Sequence, residues 1–213
     1  MARFRVSPAT GAWPPQRLRA GAMEWVEPVA FVLGVTNVAL VVRRSVWNYP
    51  FALAMVSLYA VVFADAKLYS DALLQVFFFA INIYGWVIWS RAAATEGEVR
   101  VRALGHGARM VWAAGCLVAI ALWGGAMSRF TDASLPWWDA TVAILSVAAQ
   151  IMLSRRWIDN WALWIVVDIL SIGLYAAKGL WPTMVLYVIF LGLAIWGLLE
   201  WRSVRRQAGF EAS

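Results

Sequence analysis

The chain has 213 residues, 63% of them hydrophobic and 14% charged, with 15 tryptophans and a net charge of +6. A soluble domain carries about 25% charged residues, so this composition excludes a water-soluble globule and indicates an integral membrane protein with little mass outside the bilayer. The positive charge is therefore read by its position along the chain, as a topology signal, and not as a nucleic-acid footprint.

The first 22 residues carry Arg3, Arg5, Arg17 and Arg19 together with Pro8, Pro14 and Pro15. No apolar run follows these charges, so they do not form a signal peptide. They read as a disordered or untranslated tail, with Met23 as the more ordinary start. Seven apolar runs follow, each predicted to be a membrane-spanning helix. They cover residues 25–42, 49–64, 72–89, 110–127, 139–153, 160–178 and 181–199. The first stops at Arg43 and Arg44, the fifth at Arg155 and Arg156, and the seventh in EWRSVRR. A polar loop, SRAAATEGEVRVRALGHGAR, separates the third run from the fourth.

Arg43, Arg44, Arg91, Arg100, Arg102, Arg109, Arg155, Arg156, Arg202, Arg205 and Arg206 all fall on one side of this topology. The opposite loops hold only Lys67, Arg129 and Lys178. The positive-inside rule puts the arginine-rich side in the cytoplasm, with the N-terminus outside and the C-terminus inside. Trp25, Trp47, Trp137, Trp138, Trp181 and Trp201 stand at run ends, and most of them read as interfacial belt residues. Asp65 and Lys67 read as interfacial too. Cys116 reads as a small buried residue, and one cysteine excludes an intrachain disulfide. With one cysteine and one histidine, His106 in a polar loop, no zinc site is expected.

The sixth run, NWALWIVVDILSIGLYAAK, carries the strongest functional signal. Trp161, Trp164, Asp168, Ser171 and Tyr175 fall three or four residues apart, which makes one stripe on a helix. A carboxylate near the centre of a span costs about 2.5–3.5 kcal/mol on insertion scales, so Asp168 should face a protein interior or a wet cavity. The competing reading is a structural acid paired to a neighbouring helix. In the third run Gln75, Asn82, Trp86 and Trp89 form a second stripe, whose amides read either as ligand contacts or as glue between helices. Asp139, Ser146 and Gln150 align in the fifth run, where Asp139 also suits a helix start. Tyr59 is a candidate in the second. Pooled, these groups suit a flat, polar-edged ligand, cationic ones included. Indole faces stack on rings and attract cations, and amides bond polar edges.

An internal repeat is legible as well. Residues 48–89 overlay residues 160–201 at a constant offset, matching Asn48 with Asn160, Gly85 with Gly197 and Trp89 with Trp201. Runs one to three and five to seven then form two three-helix units, with run four as the link that lets both enter the membrane in the same direction. No phosphate-binding loop, H-E-x-x-H or G-x-S-x-G is present, so neither an ATP motor nor a catalytic site is expected.

DALLQVFFFAINIYGWVIWSR, PWWDATVAILS and SRRWIDNWALWIVVDILSIGLYAAKGLW resemble the PnuC family of bacterial vitamin transporters over about residues 24–202. That resemblance implies an all-α inner-membrane protein of seven helices in a 3+1+3 arrangement, similar to sugar transporters of the SWEET class. It further implies a homotrimer that takes up nicotinamide riboside by facilitated diffusion, with a cytoplasmic kinase trapping the vitamin for NAD biosynthesis. By the same resemblance Trp164 and position 168 would line the site, with Gln75 and Asn82 contributing. The family pattern commonly has Asn where this chain has Asp168, so thiamine or another vitamin is the alternative cargo. Substrate-binding residues are expected to be Asn160, Trp161, Trp164, Asp168 and Tyr175 on the sixth helix, Gln75, Asn82 and Trp86 on the third, and Tyr59 on the second. No cofactor or metal is expected. Two other classes, a membrane-embedded enzyme and a purely structural bundle, are left by the residues alone. The first lacks a base–nucleophile pair, and the second gives Asp168 no role.

Overall fold

A computed structural model describes residues 16–65, 69–131, 135–177, 179 and 181–211. Lys67, Lys178 and residues 1–15 lie outside this set, as does the side chain of Asp65. The described chain contains seven α-helices: α1 (Gln16–Val42), α2 (Asn48–Asp65), α3 (Tyr69–Glu96), α4 (His106–Phe130), α5 (Pro136–Ser154), α6 (Asp159–Ala177) and α7 (Trp181–Glu211). Each apolar run became one helix, because a backbone in hydrocarbon must satisfy its own N–H and C=O groups. Five of these helices are long and apolar enough to cross a membrane, and Pro28–Val42 and Asn48–Val61 are shorter apolar segments. Helix α1 begins at Gln16, inside the stretch expected to be a tail.

The helices pack in a ring. In order around it, α1 touches α2, α2 touches α3, α3 touches α5, α5 touches α6, α6 touches α7, and α7 returns to α1. Helix α4 stands outside and packs on α5.

The local geometry repeats 112 positions along. Helix α1 ends with Arg44 in the left-handed region (φ 56°), and α5 ends with Arg156 there (φ 64°). Ser45 N–H donates to Leu40 O and Arg44 N–H to Val41 O, both at 2.9 Å; Trp157 to Met152 and Arg156 to Leu153 are the counterparts, also at 2.9 Å. These paired bonds form a Schellman stop, which satisfies the last carbonyls and holds a conformation that a non-glycine residue rarely adopts. The next helices open alike. Asn48 Nδ2 donates to Ser45 O at 2.7 Å, and Asn160 Nδ2 to Trp157 O at 2.6 Å.

The same correspondence builds an aromatic core at the arginine-bearing end. Tyr49 meets Trp89 edge-on at 5.5 Å, Trp89 tilts on Trp201 at 6.0 Å, and Trp201 meets Trp161 edge-on at 5.5 Å. Gly85 leaves room for the Tyr49 ring and Gly197 for the Trp161 ring; a methyl at either position would collide with the aromatic. Trp89 Nε1 donates to Leu153 O at the end of α5 (3.2 Å), and Trp201 Nε1 donates to Val42 O at the end of α1 (3.1 Å). Each half of the ring is thus tied to the other by an indole reaching across.

Two expectations change here. Trp201 is fully buried and Trp138 is half-buried, so neither is a belt residue, whereas Trp25, Trp47, Trp137 and Trp181 are at least half exposed. The reason is length: α7 runs on to Glu211, so Trp201 lies inside the helix and not at its end. The polar loop after the third run also differs. Its first part continues α3 to Glu96, and residues 97–105 form an extended strap. Val99, Val101 and Ala103 alternate inward against the aromatic core, as a period of two requires. Arg102 N–H donates to Arg156 O (2.9 Å) and Ile158 N–H to Arg102 O (2.8 Å), while Arg156 Nη1 meets Glu96 at 3.0 Å. The strap thereby covers the α5–α6 corner.

Candidate functional site

Helix α6 buries one stripe of its surface: Asn160, Trp161, Val167, Asp168, Ser171 and Leu174. The other faces carry the exposed Val166 and Ile169. The 3.6-residue period therefore fixes which side chains point inward, and it puts Asp168 at the middle of the helix with 3% of its surface exposed. No ion pair reaches Asp168 among the described residues. The described groups within electrostatic reach of it are neutral. The Tyr187 hydroxyl is within electrostatic reach of Tyr175, Asp168 and Ser171, and the Tyr175 and Tyr187 rings stack at 5.2 Å and 26°. Trp138 Nε1 donates to Leu170 O at 3.0 Å, and its ring rests on Gly173, which fixes α5 against this part of α6.

A second polar cluster joins α3 to α5. Gln150 Nε2 donates to Asn82 Oδ1 at 2.9 Å, and Asn82 Nδ2 donates to Phe78 O at 2.8 Å. Both Asn82 and Gln150 are buried. Asn82 thus uses both ends of its amide within the protein, which is the helix-gluing role. We expect Gln150→Leu to cost about 1–3 kcal/mol, because the Asn82 oxygen would stay buried without its donor. The double variant Asn82→Leu/Gln150→Leu should cost less than the sum of the singles. Thermal unfolding of the four proteins in one detergent checks the cycle.

The remaining candidates separate. Trp161 belongs to the aromatic core, yet among the described residues its buried Nε1 has no acceptor and the buried Asn160 Oδ1 has no donor. A rise of about 1.5 Å per residue puts these atoms roughly 10 Å along α6 from Asp168. Trp164 is half-buried and packs against the aromatic core. Gln75 lines a shallow cavity of about 250 Å³ between α2 and α3, with Val56, Ser57, Ala60, Val76 and Phe79. Tyr59 is half-buried on α2. Trp86 lies off the buried stripe of Asn82, Gly85, Trp89 and Ala92 and is 38% exposed, so the structure does not gather it with the others. Ser146 Oγ donates to Val142 O and Asp139 sits in the first turn of α5, which leaves Gln150 as the inward member of that stripe.

Tyr187 was missed from sequence. The repeat held the signal, because Tyr187 stands 112 positions after Gln75 and Asp168 stands 112 after Val56. The cavity beside Gln75 is therefore the apolar counterpart, in the first half of the ring, of the polar Asp168–Tyr187 region in the second. Among the described residues no group of His, Cys, Asp and Glu side chains could hold a metal ion. The site can supply a carboxyl group without an ion pair among the described residues, hydroxyls, an indole N–H and aromatic faces. That suits binding of a planar polar or cationic molecule and offers no nucleophile–base pair.

Residues 24–203 match the profile of a family described as nicotinamide mononucleotide transporter. The nicotinamide riboside transporter PnuC of Escherichia coli is 30% identical over 215 residues, covering 89% of this chain and 90% of the relative. The PnuC of Neisseria mucosa is 31% identical over 201 residues, covering 87% and 75%. The riboflavin/roseoflavin transporter RibM of Streptomyces davaonensis is 31% identical over 183 residues, covering 83% and 84%. Among solved structures, the crystal structure of the vitamin B3 transporter PnuC is similar with a TM-score of 0.72 and 28% identity, covering 86% of this chain and 83% of that one.

Proposed function

This chain belongs to the nicotinamide mononucleotide transporter family, and from that membership we propose that it is a multi-pass inner-membrane transporter taking up nicotinamide riboside. The observation that carries the site is Asp168, buried at mid-helix with no cationic partner among the described residues. Leaving a carboxylate unpaired in a span is costly unless something else meets it. The pyridinium ring of nicotinamide riboside carries a delocalised positive charge that would do so. Trp164 stacks on the ring, Asp168 faces its charge or carboxamide, and Tyr175 and Tyr187 flank the same space. The indole N–H of Trp161 and the carbonyl of Asn160 meet the ribose hydroxyls. Gln75, Asn82, Trp86 and Tyr59 approach only in another state of the cycle.

The 3+1+3 arrangement is supported by the paired Schellman stops, paired asparagines and paired indole bonds. The two halves are α1–α3 and α5–α7, with α4 as the link. The clustering of Arg44, Arg102, Arg109 and Arg156 around the strap supports a cytoplasmic location for that end and, with it, for the C-terminus. The aromatic core closes the cytoplasmic end, so rocking one half against the other would have to part Trp89 from Leu153 and Trp201 from Val42. Transport is facilitated diffusion by a homotrimer, and trapping by a cytoplasmic kinase supplies accumulation. Riboflavin is the second reading, because RibM is as similar in identity as the nicotinamide riboside transporters. Thiamine, with a cationic thiazolium, is a further cargo that Asp168 would suit.

Calorimetric titration of the purified protein with nicotinamide riboside, thiamine and riboflavin in turn tests this. Saturable binding of nicotinamide riboside that Trp164→Ala weakens by tenfold or more, about the 1–3 kcal/mol of a stacked ring, supports the assignment. Binding of riboflavin alone would replace the cargo and keep the fold. Binding of none of the three would overturn the reading.

A further inference from the structure

A second cleft, of about 370 Å³, lies at the arginine-bearing end between the start of α6 and the last part of α7. Its walls are Ile158 just before α6, Ala162 of α6 and Leu198 of α7, and its rim carries Arg109, Arg202 and Arg205. Leu198, Arg202 and Arg205 follow at spacings of four and three, so they share one face of α7. One carboxylate is present, that of Asp159, and it is already engaged. Its Oδ1 accepts from Arg109 Nε at 2.7 Å and its Oδ2 from Leu104 N–H at 2.8 Å. This fixes Arg109 by its Nε and leaves its terminal nitrogens pointing elsewhere. Arg202 and Arg205 are exposed and make no ion pair among the described residues. Three guanidinium groups against one spent carboxylate leave the cleft with a net charge of two positive units.

We propose that this cleft binds the phosphate-bearing headgroup of an anionic phospholipid, with the glycerol and upper acyl chain lying against Ile158, Ala162 and Leu198. Position favours a lipid over a soluble phosphate ester. Ile195, Trp196 and Leu199 of α7 are exposed apolar residues within two turns of Arg202, so the arginines begin where the hydrocarbon-facing surface ends. That boundary is the depth of the lipid phosphates. Basic pockets between helices at this depth hold anionic headgroups by paired guanidinium–phosphate bonds. The proposal does not depend on the vitamin carried.

Native mass spectrometry of the full chain in detergent tests it, by titration with phosphatidylglycerol and with phosphatidylcholine of the same acyl chains. The wild type should bind phosphatidylglycerol about tenfold more tightly or better, on the order expected for two arginines at a phosphate. R202Q/R205Q should lose that preference. R202K/R205K should keep most of it, and R43Q/R100Q, which removes two exposed arginines outside the cleft, should keep all of it. Equal retention of the two lipids by the wild type would overturn the proposal. So would an undiminished preference in R202Q/R205Q, or an equal loss in R43Q/R100Q. Displacement of phosphatidylglycerol by millimolar glycerol 3-phosphate would also overturn it, because the cleft would then be a site for soluble phosphate esters.

Discussion

Asp168→Ala is expected to weaken nicotinamide riboside binding by about 30-fold or more while leaving the protein at least as stable as the wild type. The two effects part because Asp168 has no cation to lose among the described residues. Truncating one partner of a buried, hydrogen-bonded charge pair costs about 2–5 kcal/mol, and every 1.4 kcal/mol is a factor of ten in affinity. In the free protein the same change removes a carboxylate whose placement at mid-span costs about 2.5–3.5 kcal/mol. Asp168→Asn keeps a hydrogen-bonding group of the same shape and loses only the charge. It should therefore bind the cationic vitamin with an intermediate loss and should not penalise a neutral one such as riboflavin. Calorimetry on the three proteins reads the affinities, and thermal unfolding in the same detergent reads the stability. An unchanged affinity in Asp168→Ala would remove Asp168 from the site. A fall in stability without a fall in affinity would make it a structural acid.

Trp201→Ala is expected to produce the largest loss of stability of any single substitution considered. The side chain is fully buried, touches Trp89 and Trp161, and spans the ring through its bond to Val42 O. Truncating a buried aromatic of this size costs about 3–5 kcal/mol. Trp201→Phe retains a ring but not the N–H, and should cost about 1–3 kcal/mol, chiefly from the buried carbonyl left without its donor. Trp89→Ala should behave like Trp201→Ala, since it makes the matching bond to Leu153 O. The measurement is unfolding temperature in detergent, with substrate flux into proteoliposomes as the second readout. Because this cluster closes one end of the ring, the milder Trp201→Phe should also raise flux or leak. Unfolding temperatures of Trp201→Ala and wild type that coincide would mean that the aromatic core does not hold the two halves together.

Much of the fold was legible because a bilayer imposes local rules. An apolar run of sufficient length becomes a helix wherever it occurs, so all seven elements could be placed from hydropathy, with ends that differ by the extensions of α1, α3 and α7. The repeat was legible from Asn48 and Asn160, Gly85 and Gly197, and Trp89 and Trp201, because each pair performs one local task twice. The inward direction of Asp168, Ser171 and Trp161 followed from helical period and from the cost of a carboxylate in hydrocarbon. What the sequence alone could not decide was which partner each inward side chain meets. Asn82 binds Gln150 and Trp201 leaves the belt for the core, each through a contact at least 68 residues away in the chain, and Val99 turns inward from the strap onto the aromatic core. Those choices depend on α3 lying beside α5 and α7 closing onto α1, and ring closure is a property of all the helices at once. Polarity and period fix a residue's depth and facing; only the neighbouring helix decides whether it becomes glue, core or site.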